Sequence, residues 1–342
     1  MSATQVRLAR RPEREPGDDC FAFTHDEVPS PADGQLLLRI VYLSLDPYMR
    51  GRMSAAKSYA DPVEVGDVLV GGTVCVVEES RHPDYAVGDL VLSYSGWRTH
   101  ALSDGSGLRR LDPSVVPVST ALGVLGMPGF TAYAGLLEIG KPQPGETVVV
   151  AAATGPVGSA VGQIARVKGA RAVGIAGGPE KCAYVKGELG FDAAVDHRAA
   201  EFQAKLAAAC PDGIDVYFEN VGGHVAREVA RHYNLYARVP VCGLVADYNA
   251  TSAPSGPDRL PGFMRLVLTK SLTVRGFIQS EFTRSHGRDF LRDMSGWVAD
   301  GSVRYREDVV DGLVNAPEAF RGMLAGRNFG KVLVRVSDDP TL

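Results

Sequence analysis

Apolar and polar residues follow two different periods along this chain. Up to about residue 119 the apolar runs are short and alternating, as in 35–42 and 72–77, and Pro and Gly interrupt them. This pattern is typical of an all-β unit. From residue 147 onward strand-like runs alternate with helical stretches, which is the pattern of repeated βαβ units. The chain therefore predicts a small, irregular β-barrel followed by a doubly wound α/β unit with a parallel sheet.

The predicted elements of the α/β unit follow in a regular order. Its strands are expected at 148–152, 172–176, 193–196, 214–218 and 237–242, and helices at 126–137, through 163–168, around 184–189 and at 202–209 and 281–301. In the last helix a core stripe is expected, formed by Phe290, Leu291, Met294 and Trp297. Residues 331–336 alternate with period two and predict a strand that returns to the β-barrel. We expect domains at 1–122 and 123–312, with 313–342 completing the first.

A glycine-rich turn joins the first strand of the α/β unit to its helix. Ala153, Gly155 and Gly158 keep the spacing G-x-G-x-x-G with Ala in the first position. A small residue allows the tight turn, Gly155 allows close approach of the backbone to a phosphate, and Gly158 allows the helix to pack on the strand. The spacing alone also fits an ordinary strand–turn–helix corner. The strand before it and the helix after it favour a nicotinamide dinucleotide, with the pyrophosphate at the helix N-terminus.

The end of the second strand distinguishes NAD from NADP(H). A site for NAD would place Asp or Glu there, whereas this chain has Gly177 and Gly178, followed by Lys181. Two glycines leave room and bare backbone N–H groups for a 2′-phosphate, so we favour NADP(H). Lys181 is also compatible with a solvated helix-surface lysine, and the neighbouring Glu180 weakens the local positive field.

Composition excludes several classes of function. A net charge of −4 and the lack of basic runs argue against a nucleic-acid partner. No apolar stretch is long enough for a membrane span or a signal core, so we expect a soluble cytoplasmic protein. The five cysteines are dispersed, which indicates reduced thiols, and neither they nor the seven histidines show close ligand spacing. We therefore expect no bound metal, and a substrate carbonyl would need another polarising group.

Several motifs together resemble one branch of a known enzyme family. They are LSLDPYMR at 43–50, GMPGFTAY at 126–133, the glycine turn continued to residue 165, FENVGG at 218–223 and GRNFGK at 326–331. The chain resembles the zinc-independent medium-chain dehydrogenases/reductases, in the branch of prostaglandin reductases, leukotriene hydroxydehydrogenases, curcumin reductases and plant double-bond reductases. The resemblance implies a GroES-like β-barrel domain with a Rossmann domain, commonly as a homodimer. It also implies NADPH-dependent reduction of the carbon–carbon double bond of α,β-unsaturated aldehydes and ketones.

The resemblance also implies roles for individual residues. Gly178 and Lys181 would meet the 2′-phosphate, Asn220 would lie near the nicotinamide half, and Asn328 would reach the cofactor from the C-terminal segment. His197 stands where relatives commonly have Tyr, so the adenine-side contact is open, although Arg198 could add charge there. The complete set of expected cofactor-binding residues is Ala153, Thr154, Gly155, Val157, Gly158, Gly178, Lys181, His197, Asn220, Cys242, Tyr248, Phe277 and Asn328.

Tyr248 is the expected catalytic residue. Hydride transfer to the β-carbon of an enone moves negative charge to the carbonyl oxygen, and a tyrosine hydroxyl after the strand ending at residue 244 could donate to that oxygen. A loop tyrosine with its hydroxyl in water is the plainer interpretation. Tyr48 and Tyr59 would either form an aromatic wall for a flat substrate or cap the barrel; the family places Tyr48 near the substrate.

Three other functions remain open on the sequence. A quinone reductase would need the same cofactor site and differ only in its pocket. An alcohol dehydrogenase is weaker, because no Lewis acid and no Tyr-x-x-x-Lys pair is evident. A dinucleotide sensor would keep the fold without the chemistry. Residues 248–261 and 57–62 are expected to line the pocket, and residues 256–261 fit either a lid or an ordinary surface loop.

Overall fold

The computed structural model describes residues 2–250 and 257–342. The chain forms two compact units, one of residues 1–123 with 307–342 and one of residues 124–306. The predicted domain ends at 122 and 312 lie near these boundaries. The expected pocket segment 248–261, with its candidate lid, falls in part outside the described residues.

The N-terminal part of the first unit is built mainly from antiparallel strands. Its elements are β1 (Ser2–Leu8), β2 (Phe21–Glu27), β3 (Leu36–Ser44), α1 (Tyr48–Arg52), β4 (Thr73–Ser80), β5 (Leu90–Ser93), β6 (His100–Ser103) and β7 (Arg109–Arg110). Strand β3 pairs with both β4 and β6, and eight of its nine residues are buried. The aromatic core lies around Trp97, which stacks on Phe21 and meets Phe320 edge-on.

The second unit is an α/β layer structure around one parallel sheet. Its elements are α2 (Met127–Ala134), β8 (Thr147–Ala151), α3 (Pro156–Val167), β9 (Arg171–Ala176), α4 (Pro179–Gly187), β10 (Ala193–Asp196), α5 (Phe202–Ala209), β11 (Ile214–Phe218), α6 (Gly223–Val229), β12 (Tyr233–Val241), α7 (Leu260–Lys270), β13 (Thr273–Gly276) and α8 (Thr283–Ala299). The strand order is β10-β9-β8-β11-β12-β13. This order reverses between β8 and β11 and is that of a Rossmann fold, as predicted.

The C-terminal segment returns to the first unit, as its alternating pattern predicted. It contains β14 (Glu307–Asp311), α9 (Ala316–Leu324) and β15 (Lys331–Arg335). Strand β15 pairs in antiparallel fashion with β3 and in parallel with β14. The seven-stranded sheet of the first unit therefore combines β3–β7 with β14 and β15, whereas β1 and β2 pair in a separate two-stranded sheet.

A buried ion pair fastens β15 at its first residue. Lys331 is 2% exposed, and its Nζ donates to Asp46 Oδ1 and to the Leu45 carbonyl oxygen, each at 2.7 Å. The Ser44 hydroxyl donates to the second carboxylate oxygen of Asp46. Because Asp46 lies between β3 and α1, this pair joins the C-terminal strand to the segment that begins at Tyr48.

The helix starts follow the two glycine turns directly, as the sequence indicated. α3 begins at Pro156 and α4 at Pro179, so Lys181 lies in a first helical turn, and both helices begin with Pro, which fits that position. In α8 only Phe290 and Met294 of the predicted stripe are fully buried, whereas Leu291 and Trp297 are half-buried. All five cysteines are free thiols, as their spacing predicted. No helix among the described residues is long and apolar enough to cross a membrane.

Candidate cofactor and active site

The glycine turn after β8 is held by one carbonyl group. Ala152 has a left-handed backbone, with φ of 53°, and its carbonyl oxygen accepts the Gly155 N–H at 2.9 Å. A Cβ added at Gly158 would lie 2.4 Å from the same oxygen, so this position admits only glycine without movement of the backbone. The residue that makes the turn is therefore Ala152, one position before the residue that the spacing motif indicated.

The N-terminus of α3 is open to an anion. Gly155 precedes Pro156 at the first helical position, and no side chain caps this end. Ala153 and Thr154 are buried, and Gly155 and Val157 are half-buried. A helix of twelve residues presents backbone N–H groups and the positive end of its dipole at such a terminus. The residues present thus fit the pyrophosphate of a dinucleotide.

The end of β9 differs from the expectation in one respect. Gly178 has φ of 97°, a conformation that favours glycine, but its N–H is not bare, because it donates to Asp196 Oδ1 at 2.9 Å. The same carboxylate oxygen accepts the Arg198 N–H at 2.9 Å, and these donors lower the pKa of Asp196. A 2′-phosphate at this turn would therefore depend on side chains and not on the Gly178 N–H.

Cationic side chains surround that turn. Lys181 is half-buried in the first turn of α4, and the Arg198 guanidinium packs so closely on Gly177 that an added Cβ there would lie 2.8 Å from Arg198 Nε. His197 follows β10 directly, and its N–H donates to the Ala176 carbonyl at 3.1 Å. Burial, followed by the charges of His224, Arg198 and Lys181, lowers the pKa of His197. The donor set suits a phosphate and includes His224, an exposed residue in the first turn of α6 that meets the His197 ring.

A buried carboxylate shapes the turn that carries Asn220. Glu219 is 4% exposed, and its Oε1 accepts the Tyr217 hydroxyl at 3.0 Å, the Val221 N–H at 2.7 Å and the Gly222 N–H at 2.8 Å. Burial raises the pKa of Glu219 against the opposing effect of these donors. The Asn220 amide donates to the Ala151 carbonyl at 3.0 Å, next to the glycine turn.

The segment that carries Tyr248 is fixed to the same turn by backbone hydrogen bonds. The Glu219 carbonyl accepts the N–H groups of Cys242 and Gly243, and the Asn220 carbonyl accepts that of Val245 at 3.1 Å. A Cβ at Gly243 would lie 3.0 Å from the Tyr248 hydroxyl oxygen, so the tyrosine ring folds back over this glycine. Burial and the nearby Glu219 raise the pKa of the Cys242 thiol to about 12. Asn220, Cys242 and Tyr248 thus lie on one framework at the carboxyl ends of β11 and β12.

Phe277 supports this framework from the neighbouring strand end. It is 6% exposed, meets Phe218 edge-on and fills the space beside Gly135, where an added Cβ would lie 2.3 Å from its ring. Its N–H donates to the Val241 carbonyl at 3.4 Å. The side chain of Phe277 is therefore part of the core, and its ring is largely withdrawn from solvent.

Three expected residues belong to the first unit. Tyr48 is half-buried at the start of α1, and burial together with the charge of Asp46 raises its pKa. Tyr59 is 64% exposed. Asn328 is half-buried, and its amide donates at 2.9 Å to the carbonyl of Gly330, the residue directly before Lys331.

Comparison with known proteins gives consistent relatives over nearly the whole chain. An NADPH-dependent curcumin reductase of Escherichia coli is 55% identical over 97% of this chain and 96% of its own length. Prostaglandin reductase 1 of Oryctolagus cuniculus is 42% identical over 92% of this chain and 88% of its own length. The crystal structure of CurA from Vibrio vulnificus in complex with NADPH matches with a TM-score of 0.94 and 52% identity, over 98% of this chain and all of that one.

The chain belongs to the zinc-independent medium-chain dehydrogenases/reductases. Two family models match it, one described as the N-terminal domain of oxidoreductase at residues 4–111 and one as zinc-binding dehydrogenase at residues 156–295. Despite the second description, residues 2–250 and 257–342 contain no group of three or more His, Cys, Asp or Glu side chains placed to hold a metal ion. The family prediction from the motifs is confirmed.

Four residues at these strand ends were not predicted as parts of the site. Ala152, Asp196 and Glu219 organise the three turns by accepting backbone N–H groups, and His224 contacts His197. A carboxylate directly at the end of a strand is the sequence signal that could have indicated Asp196 and Glu219. No local signal could have indicated His224, because its partner lies 27 residues away.

Proposed function

We propose that this protein is an NADPH-dependent oxidoreductase that reduces the carbon–carbon double bond of α,β-unsaturated ketones and aldehydes. The observation that carries this proposal is the framework that holds Asn220 and the Tyr248 hydroxyl together at the carboxyl ends of β11 and β12. The curcumin and prostaglandin reductases named among the relatives support it.

NADP(H) is the cofactor in this proposal. The glycine turn and the α3 N-terminus, with Ala153, Thr154, Gly155, Val157 and Gly158, would hold the pyrophosphate. Lys181, together with His197 and Arg198 after the end of β10, would hold the 2′-phosphate.

The nicotinamide half would lie on the remaining framework residues. Asn220, Cys242 and Phe277 would border the ring, and Asn328 would contribute from the C-terminal segment. Tyr48 and Tyr59 would contact the substrate. The positions described at the strand ends of the second unit support Asn220, Cys242 and Phe277. Asn328 and Tyr48, in the first unit, rest on the family resemblance, and Tyr59 rests on the sequence of the β-rich unit.

The reaction requires the protein to stabilise negative charge on a carbonyl oxygen. NADPH, when bound, supplies the hydride that adds to the β-carbon of the substrate. Tyr248 then donates a hydrogen bond to the enolate oxygen, an interaction that is stronger in the transition state than in the ground state. The α-carbon takes its proton from water or through the tyrosine. Gly243 leaves the space that this ring position needs.

Product analysis tests the proposed reaction. The protein is incubated with NADPH and, separately, a short 2-alkenal, an aryl enone and a quinone, and the products are identified by mass spectrometry. We expect the saturated carbonyl compound from both unsaturated carbonyl substrates. Turnover of the quinone alone would instead support a quinone reductase, and tight NADPH binding with no turnover would support a dinucleotide sensor.

Lys181→Ala is expected to weaken NADP⁺ binding about tenfold to a hundredfold, since a hydrogen bond to a charged group contributes roughly 1.5–3 kcal/mol. Binding of NAD⁺, which lacks the 2′-phosphate, is expected to change little. Calorimetric titration with both dinucleotides measures the two dissociation constants. Lys186→Ala, at an exposed position of the same helix, is the matched control. Equal loss for NAD⁺ and NADP⁺ would contradict the assignment of Lys181.

We further propose a homodimer formed through the edge of the Rossmann sheet. All four residues of β13, the last strand of the sheet, are exposed, and α7, which precedes β13 in the chain and contacts β12, exposes Leu260, Met264 and Leu268. An exposed edge strand next to an apolar patch is a typical site of self-association.

Val274→Lys at the centre of this edge is expected to give a monomer, because it places a charge in the proposed interface. Light scattering distinguishes a mass near 36.4 kDa from about twice that value. The control is Val309→Lys in β14, an edge strand of the other sheet with similar exposure. A dimer that survives Val274→Lys and dissociates with Val309→Lys would place the interface elsewhere.

A further inference from the structure

Two histidines from distant parts of the sequence meet beside the Gly177–Gly178 turn. His197 Nδ1 lies 3.4 Å from His224 Nε2, with the ring centroids 5.3 Å apart. Their preceding strands, β10 and β11, are separated in the sheet by β9 and β8. The contact of this histidine pair therefore spans the carboxyl ends of β9 and β8, which is the edge where the glycine turn and Gly177 lie.

The charges around the pair come from three elements. Lys181 of α4 and Arg198, next to His197 in the chain, are cations, whereas Asp196 is the one acidic group that acts on His197. Phe202 of α5 packs against the His224 ring and brings no charge. Burial and the cations together lower the pKa of His197, so its imidazole is neutral at pH 7 without a ligand. One carboxylate, that of Asp196, thus acts on His197 together with two cations, Lys181 and Arg198.

We propose that His197 and His224 together belong to the 2′-phosphate subsite and that His197 takes up a proton when a 2′-phosphorylated dinucleotide binds. This inference rests on the NADP(H) assignment proposed above and goes beyond it, since it makes His224 a specificity-determining residue. A phosphate dianion among Lys181, Arg198 and the pair favours the protonated imidazole. His224 Nε2 lies 3.4 Å from His197 Nδ1, where it can accept a hydrogen bond from the protonated His197 ring.

Because phosphate binding and proton uptake are coupled, the direction in which the affinity for NADP⁺ changes with pH can be derived. Binding raises the pKa of His197 from its depressed value, so proton uptake occurs between the pKa of His197 in the free protein and its pKa in the complex. Affinity for NADP⁺ is therefore highest on the acidic side and falls as the pH rises through the pKa of the complex, by up to about tenfold per pH unit. Affinity for NAD⁺ is expected to stay level over the same interval. The 2′-phosphate itself, with a second pKa near 6, can only release a proton on binding to cations, which is the opposite sign.

Calorimetric titration in buffers of different ionisation enthalpy measures the protons taken up on binding. The full chain is titrated with NADP⁺ and with NAD⁺ at about pH 7, in buffers without phosphate. We expect uptake of a fraction of a proton, up to about one, with NADP⁺ and none with NAD⁺. His224→Asn is expected to remove most of this uptake and to weaken NADP⁺ binding about threefold to fivefold, with NAD⁺ binding unchanged. His25→Asn, in the first unit, is the control.

Three results would overturn the proposal. The first is equal proton uptake with both dinucleotides, which would indicate a contact with the adenine or another shared group. The second is no proton uptake with NADP⁺. The third is unchanged proton uptake in His224→Asn. The enone assay separates this inference from the proposed function. Turnover with NADPH and a normal preference over NADH, in the absence of proton uptake, would contradict only the role of the histidine pair.

Discussion

Tyr248→Phe is expected to lower kcat for enone reduction by about a hundredfold to a thousandfold, the usual effect of removing one oxyanion donor. The substitution removes a single oxygen atom and leaves the ring over Gly243. The backbone hydrogen bonds that hold this segment to the Glu219–Gly222 turn do not involve the hydroxyl, so the dissociation constant for NADP⁺ should stay within about twofold of wild type. Steady-state kinetics and calorimetric titration measure the two quantities.

The control for Tyr248→Phe is Tyr236→Phe. Tyr236 is 65% exposed in the same unit, and loss of its hydroxyl should leave both kcat and cofactor affinity unchanged. A decrease of less than about threefold in Tyr248→Phe would assign the oxyanion to another donor. A large loss of NADP⁺ affinity would mean that Tyr248 acts through the cofactor site and not on the substrate.

Lys331→Met is expected to lower the free energy of unfolding by about 3–5 kcal/mol, because it leaves the Asp46 carboxylate buried without its cation. The side chains of Lys331 and Asp46 are 3% and 7% exposed, so water cannot replace the lost partner. The Leu45 carbonyl also loses a donor. Urea denaturation followed by circular dichroism measures the change in the free energy of unfolding. The slope of this free energy against urea concentration is compared between variants.

Two further variants show whether burial is the cause. Arg335→Met removes an ion pair with Asp311 from the same strand, but those side chains are 41% and 70% exposed, so a loss below about 1 kcal/mol is expected. The double variant Lys331→Met with Asp46→Asn removes the unpaired charge and should regain part of the stability. Equal losses for Lys331→Met and Arg335→Met would refute the account of the buried pair.

The architecture was accessible from sequence because its signals are local. The period of the apolar residues and the glycine spacing both lie within short windows, and they correctly predict the parallel sheet and the first βαβ turn. The alternating residues at the C-terminus likewise predict the returning strand, since a half-buried strand needs a partner sheet.

The chemistry of the second turn was less accessible because it depends on contacts between distant residues. The sequence around Gly178 indicates a free backbone N–H, but Asp196, 18 residues later, occupies it. His224 meets His197 only because two strands bring their loops to the same edge of the sheet. The left-handed backbone of Ala152 also has no local signal, because alanine rarely adopts it.

The destination of the hydride tests the central claim most directly. The protein is supplied with NADPH carrying deuterium at C4, in each of the two stereochemical forms, together with an aryl enone, and the product is analysed by NMR. The account predicts that one of the two forms delivers deuterium to the β-carbon of a saturated ketone, with the α-proton coming from solvent. Deuterium on the carbonyl carbon of an allylic alcohol would contradict it, because the protein would then reduce the carbonyl group and leave the double bond intact.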